Sequence, residues 1–312
     1  MALGTHELKS ALQGIIGFGV TPFRDDLSVD VDAVRQNAAY LAEHCEVVVP
    51  LAGNGELYAL SPDEHKAIGR AVVEEVRGRK PVLVGVGLTM PIAQDLAKAA
   101  EAYGADGILV LPPYFTHAND DGLFEYYRSI AQATKLGVIL FQTHAVNFSP
   151  SLLRRLAEVP NIVGMKDEHG DMDQFVRQWG AVGDRMALLC GVGEILAPSY
   201  FALGVKAFTS GLVNFMPGTC RKILAHLQAG ELQAAARVVD QETIAVYNLR
   251  VKRPGYRTLV IKEAMNLCGL NAGRVRPPLA PLPEEDRKAL RSLLAALGLL
   301  KGDAESKGRA RC

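Results

Sequence analysis

Short apolar runs recur along the first two thirds of the chain, and amphipathic stretches separate them. The runs are nearly continuous in apolar character, and several are rich in Val and Ile, which is typical of parallel strands buried on both faces. They are Ile15–Val20, Val47–Leu51, Val82–Val86, Ile108–Leu111, Val138–Phe141, Ile162–Met165, Ala187–Cys190 and Val205–Phe208. The pattern therefore predicts eight strands.

The stretches between the runs carry helix start signals. Ser61–Glu64 combines an N-cap serine, a proline at the first helical position and a glutamate at the third, which together form a capping box. Met90-Pro91 and Ser149-Pro150 open two further helices, and Asp171 and Asp173 lie where another helix begins. Strands and helices are thus predicted to alternate.

Eight strand–helix units between about Gly14 and Gly230 match the size of a (β/α)8 barrel. A doubly wound open sheet is the competing architecture, but no run reads as an edge strand, which favours the barrel. From Glu231 to about Leu300 the pattern is helical only and predicts two or three helices packed on the barrel. We therefore divide the chain into a barrel (12–230), a C-terminal helical region (231–300) and a flexible tail (301–312).

Composition narrows the class of partner. Lys plus Arg and Asp plus Glu both number 34, and this balance argues against a broad electrostatic grip on nucleic acid or an anionic membrane. The five cysteines form no CxxC pair, and no apolar run approaches the roughly 20 residues that span a bilayer. We expect a cytoplasmic protein with reduced thiols that acts on a small molecule.

Two candidate groups follow predicted strands, where the loops of a barrel carry its site. Gly53-Asn54-Gly55-Glu56 follows the second strand, and its glycines allow backbone N–H groups to bind a carboxylate; the alternative is a tight turn that only caps the barrel. Lys166 follows the sixth strand, where a partly desolvated amine would have a lowered pKa and act as a nucleophile. The alternative for Lys166 is an ordinary surface lysine.

Other polar groups near strand ends give weaker signals. His144, after the fifth strand, is either a proton shuttle or a solvated loop residue, and Tyr114 either faces the site or packs at the rim. The acidic stretch 167–173 lacks zinc or calcium spacing, so we predict no metal. Gly85-Val86-Gly87 and Gly191-Val192-Gly193 lack the full dinucleotide-binding pattern and are interpreted as close-packed strand ends. We therefore predict no cofactor.

The motifs of this chain, in their order along the sequence, resemble those of the dihydrodipicolinate synthase / N-acetylneuraminate lyase superfamily. The resemblance covers about residues 12–300 and is carried by Gly17–Phe23, Gly53–Glu56, Pro112–Tyr114, Gly164–Asp167 and Val205–Asn214. It implies a Schiff-base lyase built as a (β/α)8 barrel with C-terminal helices, usually a homotetramer.

Within the superfamily, the chain is most similar to 5-dehydro-4-deoxyglucarate dehydratases. Val163–Asp167 followed by Gly170-Asp171, Val213–Pro217 and Arg253–Tyr256 carry this similarity. The resemblance implies loss of water and CO2 from a sugar-derived 2-oxo acid to give 2,5-dioxopentanoate. Similarity to 4-hydroxy-2-oxoglutarate aldolases is next, since their corresponding motifs also read Asn-Gly-Glu and Gly-Met-Lys-Asp.

The resemblance also implies roles for individual residues. Lys166 would form the imine with the keto carbon, while Gly53 and Asn54 would bind the adjacent carboxylate. The remaining residues implied to line the substrate site are Tyr114, Phe141, Gly191 and Ser210.

One departure from the family pattern concerns proton transfer. The family usually has a tyrosine at the end of the fifth strand as proton shuttle, and this chain has Phe141 there. General acid–base catalysis is worth roughly 10²- to 10⁴-fold in rate. We predict that His144 replaces the tyrosine as the catalytic proton shuttle, with Tyr114 as the rival and a bound water as the alternative. If none of them acts, the protein binds a 2-oxo acid without turnover. A phosphate-binding barrel is disfavoured, because Ser210-Gly211 is only a fragment of a phosphate loop.

Overall fold

A computed structural model describes residues 2–114 and 116–300, and shows one parallel sheet surrounded by helices. The strands are β1 (Gly14–Phe18), β2 (Val47–Val49), β3 (Leu83–Val86), β4 (Gly107–Val110), β5 (Gly137–Gln142), β6 (Ile162–Asp167), β7 (Ala187–Cys190) and β8 (Ala207–Ser210). Their order is β2-β1-β8-β7-β6-β5-β4-β3, and a parallel bridge between Val48 and Val82 joins the two ends. The predicted (β/α)8 barrel is confirmed. The predicted tail, 301–312, lies outside the described residues.

Helices connect successive strands on the outside of the barrel. The helices up to the end of the barrel are α1 (Thr5–Ala11), α2 (Val31–His44), α3 (Pro62–Val76), α4 (Met90–Ala102), α5 (Asp120–Ala131), α6 (Pro150–Leu156), α7 (Met172–Val182), α8 (Ala197–Ala202) and α9 (Pro217–Gln228). The later helices are α10 (Leu232–Val238), α11 (Ile244–Val251), α12 (Tyr256–Leu267) and α13 (Glu284–Ala296). Over the described ranges, none of these helices is both long and apolar enough to cross a bilayer.

The helix start signals are confirmed at atomic level. The Ser61 hydroxyl accepts a hydrogen bond from the backbone N–H of Glu64, and the Glu64 carboxylate accepts one from the N–H of Ser61. The side-chain oxygens of Ser149 and Asp171 cap α6 and α7 by accepting hydrogen bonds from the backbone N–H groups of Leu152 and Gln174. These caps satisfy N–H groups that have no partner within a helix.

Six strands end at residues other than those predicted: β1, β2 and β4 end one or two residues earlier, and β5, β6 and β8 end one or two residues later. β2 stops at Val49, two residues early, because Leu51 adopts a left-handed backbone with φ 62°. β6 continues through Lys166 and Asp167, which pair with Phe141 and Gln142 of β5. β8 continues to Ser210 and pairs there with β1. Apolar patterning missed the ends of β6 and β8 because their last residues are polar and lie at the mouth of the barrel.

Helix α1, which the apolar pattern did not predict, closes the amino-terminal end of the barrel. Leu8 and Leu12 belong to the same apolar cluster as the inward-facing strand residues. A Cβ atom added at either Gly107 or Gly137, at the starts of β4 and β5, would lie 2.6 Å from Cδ2 of Leu8. Since this end is filled by side chains, a ligand has to enter from the carboxyl ends of the strands.

Within the described residues, the C-terminal region forms four α-helices where two or three were predicted, because a π-helical turn, Val239–Thr243, divides one continuous helix into α10 and α11. A π-helical turn changes the face that the following residues present. Residues of α11 and α12 reach the mouth of the barrel.

Candidate active site

A cavity of about 380 Å³ opens at the carboxyl ends of the strands. Its wall includes strand residues (Phe18, Phe141, Lys166, Thr209 and Ser210) and loop residues (Gly53, Asn54, Glu168, Gly191, Val192, Gly193, Ile195 and Gly211). The C-terminal helices α11 and α12 contribute Tyr247, Asn248, Arg250, Val251, Arg257 and Thr258. The cavity therefore lies between the barrel and the C-terminal helices, the usual place for a site in this fold.

Lys166 projects from β6 into this cavity. The residue is only 3% exposed, and its Nζ lies 3.6 Å from the ring centroid of Phe141 and 5.0 Å from that of Phe18. Burial lowers the pKa of Lys166, and the negative charge of Glu168, which accepts a hydrogen bond from Nζ, partly opposes this effect. A larger fraction of neutral amine is available than for a lysine in water, as a nucleophile requires.

The residue after the lysine anchors the end of β6 from the other side of the sheet. Asp167 is buried, and its carboxylate accepts hydrogen bonds from Tyr200 Oη at 2.5 Å, from Gln142 Nε2 at 2.9 Å and from the backbone N–H of His169. Successive side chains of a strand point to opposite faces. Fixing Asp167 outside the barrel therefore fixes Lys166 inside it.

The loop Gly53–Glu56 is held rigidly beside the lysine. Glu56 has a left-handed backbone with φ 52°, and its buried carboxylate forms an ion pair with Lys262 of α12 at 2.8 Å. The hydroxyl of Thr21 donates to the carbonyl oxygen of Gly55 at 2.7 Å. A Cβ at Gly53 would meet no atom within 4 Å, so this part of the loop is open to the cavity. Left-handed non-glycine backbone is costly and persists where surrounding contacts enforce it.

Glycine is required at the end of β7 because the lysine stem passes close by. A Cβ at Gly191 would lie 2.5 Å from the backbone oxygen of Asp167 and 2.8 Å from Cγ of Lys166. This agrees with the interpretation of Gly191 as a close-packed strand end.

A buried carboxylate orients two hydroxyl groups at the opposite wall. Glu194 accepts hydrogen bonds from Ser210 Oγ and from Tyr247 Oη, the latter at 2.5 Å. Burial raises the pKa of Tyr247 well above that of a free phenol, with a further contribution from the charge of Glu194. Tyr247 therefore serves as a neutral hydrogen-bonding group near neutral pH.

The charged groups of the wall are mostly cationic. Glu168 links Lys166 to Arg257, whose Nη1 lies 3.1 Å from Oε1 of Glu168, and Arg250 lines the same cavity. With the lysine protonated, the lining residues in the described chain carry three positive charges and one negative charge. The cavity therefore suits an anionic ligand.

Most of the predicted site residues meet in this cavity. The residues that line it are Gly53, Asn54, Phe141, Lys166, Gly191 and Ser210. Tyr114 and His144 are not among the lining residues that the structure describes: Tyr114 is 42% exposed, and the exposed His144 ring packs against that of His169 with centroids 4.8 Å apart. The roles of all eight residues stay predictions.

Sequence reasoning missed the contributions of Glu168, Tyr247, Arg250 and Arg257. In the sequence, Glu168 was considered only as part of an acidic stretch without metal-binding spacing. Within the described residues, the structure shows no group of three or more His, Cys, Asp or Glu side chains that could hold a metal ion. The other three lie on α11 and α12, more than 70 residues after the lysine. A usable signal was the Arg253–Tyr256 segment, which Arg250 and Arg257 flank.

Comparison with known proteins agrees with the fold. Residues 11–297 match the model of the dihydrodipicolinate synthetase family. The chain is 35% identical over 285 residues to a probable 5-dehydro-4-deoxyglucarate dehydratase of Methylobacterium radiotolerans, covering 90% of this chain and 94% of that protein. A protein of Bacillus subtilis with the same description is 32% identical over 291 residues, covering 92% and 94% of the two chains.

Solved structures of the family superpose on the whole barrel. Dihydrodipicolinate synthase from Oceanobacillus iheyensis has a TM-score of 0.90 at 32% identity, covering 94% of this chain and 99% of that one. The prophage protein YagE from E. coli K12, solved in complex with pyruvate, has a TM-score of 0.85 at 29% identity, covering 92% and 99%. The chain therefore belongs to the dihydrodipicolinate synthetase family and is an enzyme of the lyase type.

Proposed function

We propose that the protein is a Schiff-base lyase that converts 5-dehydro-4-deoxyglucarate to 2,5-dioxopentanoate, with loss of water and CO2. The observation that carries this proposal is the buried amine of Lys166, which faces a cavity beside the rigid Gly53–Glu56 loop. The descriptions of the relatives and the pyruvate complex of YagE support the choice of a 2-oxo acid.

In this proposal the 2-oxo acid binds by its carboxylate and reacts at its keto carbon. The backbone N–H groups of the Gly53 loop and the amide of Asn54 hold the carboxylate. The neutral amine of Lys166 attacks the keto carbon, and loss of water gives a protonated imine. The ring faces of Phe18 and Phe141 stabilise this cation, since a ring face is electronegative.

The imine makes the following steps accessible. With the carbons numbered from the carboxylate beside the keto group, the imine withdraws electrons from C3, so a C3 proton can be removed to give an enamine. The enamine expels the hydroxyl group at C4, and the conjugated imine that results accepts the electron pair released by decarboxylation. The dienamine formed in this way takes up a proton at carbon to restore the imine, and its enol tautomerises to the aldehyde. Hydrolysis of the imine then frees the product and regenerates the amine.

The charge of the cavity favours a substrate with two carboxylates. If the first carboxylate lies at the Gly53 loop, Arg250 and Arg257 remain for a second one at the outer wall. Guanidinium groups match carboxylates geometrically and stay charged at all relevant pH values. The runner-up, an aldolase acting on 4-hydroxy-2-oxoglutarate, also requires two carboxylates, and the descriptions of the relatives favour the dehydratase.

The test is borohydride trapping followed by turnover. Wild-type protein incubated with pyruvate and borohydride should gain one covalent adduct, Lys166→Ala should gain none, and the exposed-lysine control Lys135→Ala should label like wild type. Product analysis by mass spectrometry then follows each of the two candidate acids. Equal labelling of wild type and Lys166→Ala would refute the Schiff base, and labelling without turnover of either acid would leave a binding protein.

A further inference from the structure

The proposed chemistry needs a group that moves a proton between C3 and the departing hydroxyl, and the ring of Phe141 has no exchangeable proton to offer. The phenyl group lies against Nζ of Lys166, at 3.6 Å from centroid to nitrogen. We propose that the carboxylate of Glu168 is the acid–base group of the site. This inference rests on the proposed Schiff-base function.

Glu168 is placed at the reacting nitrogen by two charged partners. One carboxylate oxygen, Oε2, accepts a hydrogen bond from Nζ of Lys166, while Oε1 lies 3.1 Å from Nη1 of Arg257. The side chain is 30% exposed and lines the cavity, so it is accessible to a substrate. In the imine, C3 is two bonds from Nζ, which brings its protons within reach of the oxygen that contacts Nζ in the free enzyme.

The other polar groups of the wall are less suited to accept a proton. Tyr247 and Ser210 both donate their hydroxyl protons to Glu194. Arg250 and Arg257 remain protonated and have no acceptor atom. Among the described residues that line the cavity, Glu168 is the one carboxylate. His144 does not line the cavity.

The proton transfer balances with this single group. The ionised carboxylate takes a proton from C3; the C–H electron pair forms the C2–C3 double bond, and the imine electron pair moves to nitrogen. Glu168, now a carboxylic acid, gives the same proton to the hydroxyl on C4 as the C–O bond breaks and water leaves. The carboxylate is thereby regenerated, and no oxidant, reductant or further reactant is needed.

Arg257 is the positioning residue in this scheme. Its guanidinium fixes one oxygen of Glu168 and leaves the other directed at the substrate. The contact joins residues 89 positions apart, so α12 orients a group at the end of β6.

The experiment separates imine formation from proton transfer. Pyruvate is incubated with enzyme in D2O, and exchange of its methyl protons is followed by NMR, while borohydride labelling reports the imine. Glu168→Gln should retain labelling but lose about 10²-fold or more of the exchange rate. Glu168→Asp should recover part of it, and Asp173→Asn, which removes an exposed carboxylate on α7, should exchange like wild type.

Each outcome bears on a different claim. Exchange at the wild-type rate in labelled Glu168→Gln would overturn the role of Glu168 and leave the Schiff base intact. Loss of labelling in Glu168→Gln would place the residue in imine formation and also overturn it. Absence of labelling in the wild type would instead refute the proposed function.

Discussion

Replacing Lys262 by methionine should destabilise the protein and weaken 2-oxo acid binding, although the lysine does not line the cavity. Its ammonium group pairs with Glu56, the last residue of the Gly53–Glu56 loop, at 2.8 Å, and also donates to the carbonyl oxygen of Thr21 at 2.7 Å. The change would leave the carboxylate of Glu56 buried without its cation. The loop beside Lys166 would then lose the contact that fixes its end.

The expected loss in the free energy of unfolding follows from the burial of Glu56 and Lys262. Glu56 is 0% exposed and Lys262 is 2% exposed, so neither charge is solvated by water. Removing one partner of a buried ion pair costs roughly 3–5 kcal/mol. The backbone N–H of Arg276 still donates to Oε2 of Glu56 at 3.1 Å, which places the expected loss near the lower bound, about 3 kcal/mol.

The assay is a double-mutant cycle of urea unfolding followed by circular dichroism. Lys262→Met and Glu56→Gln should each lower the free energy of unfolding, and the double variant should lose less than their sum, since no isolated charge remains buried. Pyruvate-dependent borohydride labelling should require more pyruvate in Lys262→Met. A loss below about 1 kcal/mol, within the range of exposed ion pairs, or strict additivity in the cycle, would refute the reasoning.

Three further outcomes are expected. Gly53→Val should fold like wild type by circular dichroism, because a Cβ there meets no atom within 4 Å. It should lose pyruvate-dependent labelling, because the valine methyl groups occupy the cavity. Unchanged affinity for pyruvate would exclude the loop as the carboxylate-binding group. His144→Ala should turn over substrate at the wild-type rate, because the exposed ring lies outside the cavity wall; a 10²-fold loss would make the histidine the proton shuttle. Burial lowers the pKa of His65 from 6.5 to about 4, so the unfolded chain binds a proton at a higher pH than the folded protein does. The free energy of unfolding should therefore fall by roughly 3 kcal/mol in total as the pH drops from 6.5 to 4. Urea unfolding at pH 7 and pH 4.5 should show a smaller loss for His65→Gln than for wild type.

The sequence by itself determined the barrel and drew attention to Lys166 at its mouth. Apolar runs such as Val82–Val86 and Ala187–Cys190 predicted strands because a strand buried on both faces has to be apolar throughout. Ser61 and Ser149 marked helix starts because capping is a local interaction between neighbouring residues. Lys166 stood out because a charged residue at the end of such a run faces the mouth of a barrel.

The tertiary structure decided what surrounds the lysine. Strand pairing sets Phe141 and Leu189 on either side of Lys166, and the fold brings Arg257 to Glu168 across 89 residues of sequence. Local periodicity reports which face of an element is buried, but it does not specify which distant element covers that face. The side chains of the C-terminal helices therefore entered the site only once the chain was folded, because their position depends on packing against the whole barrel.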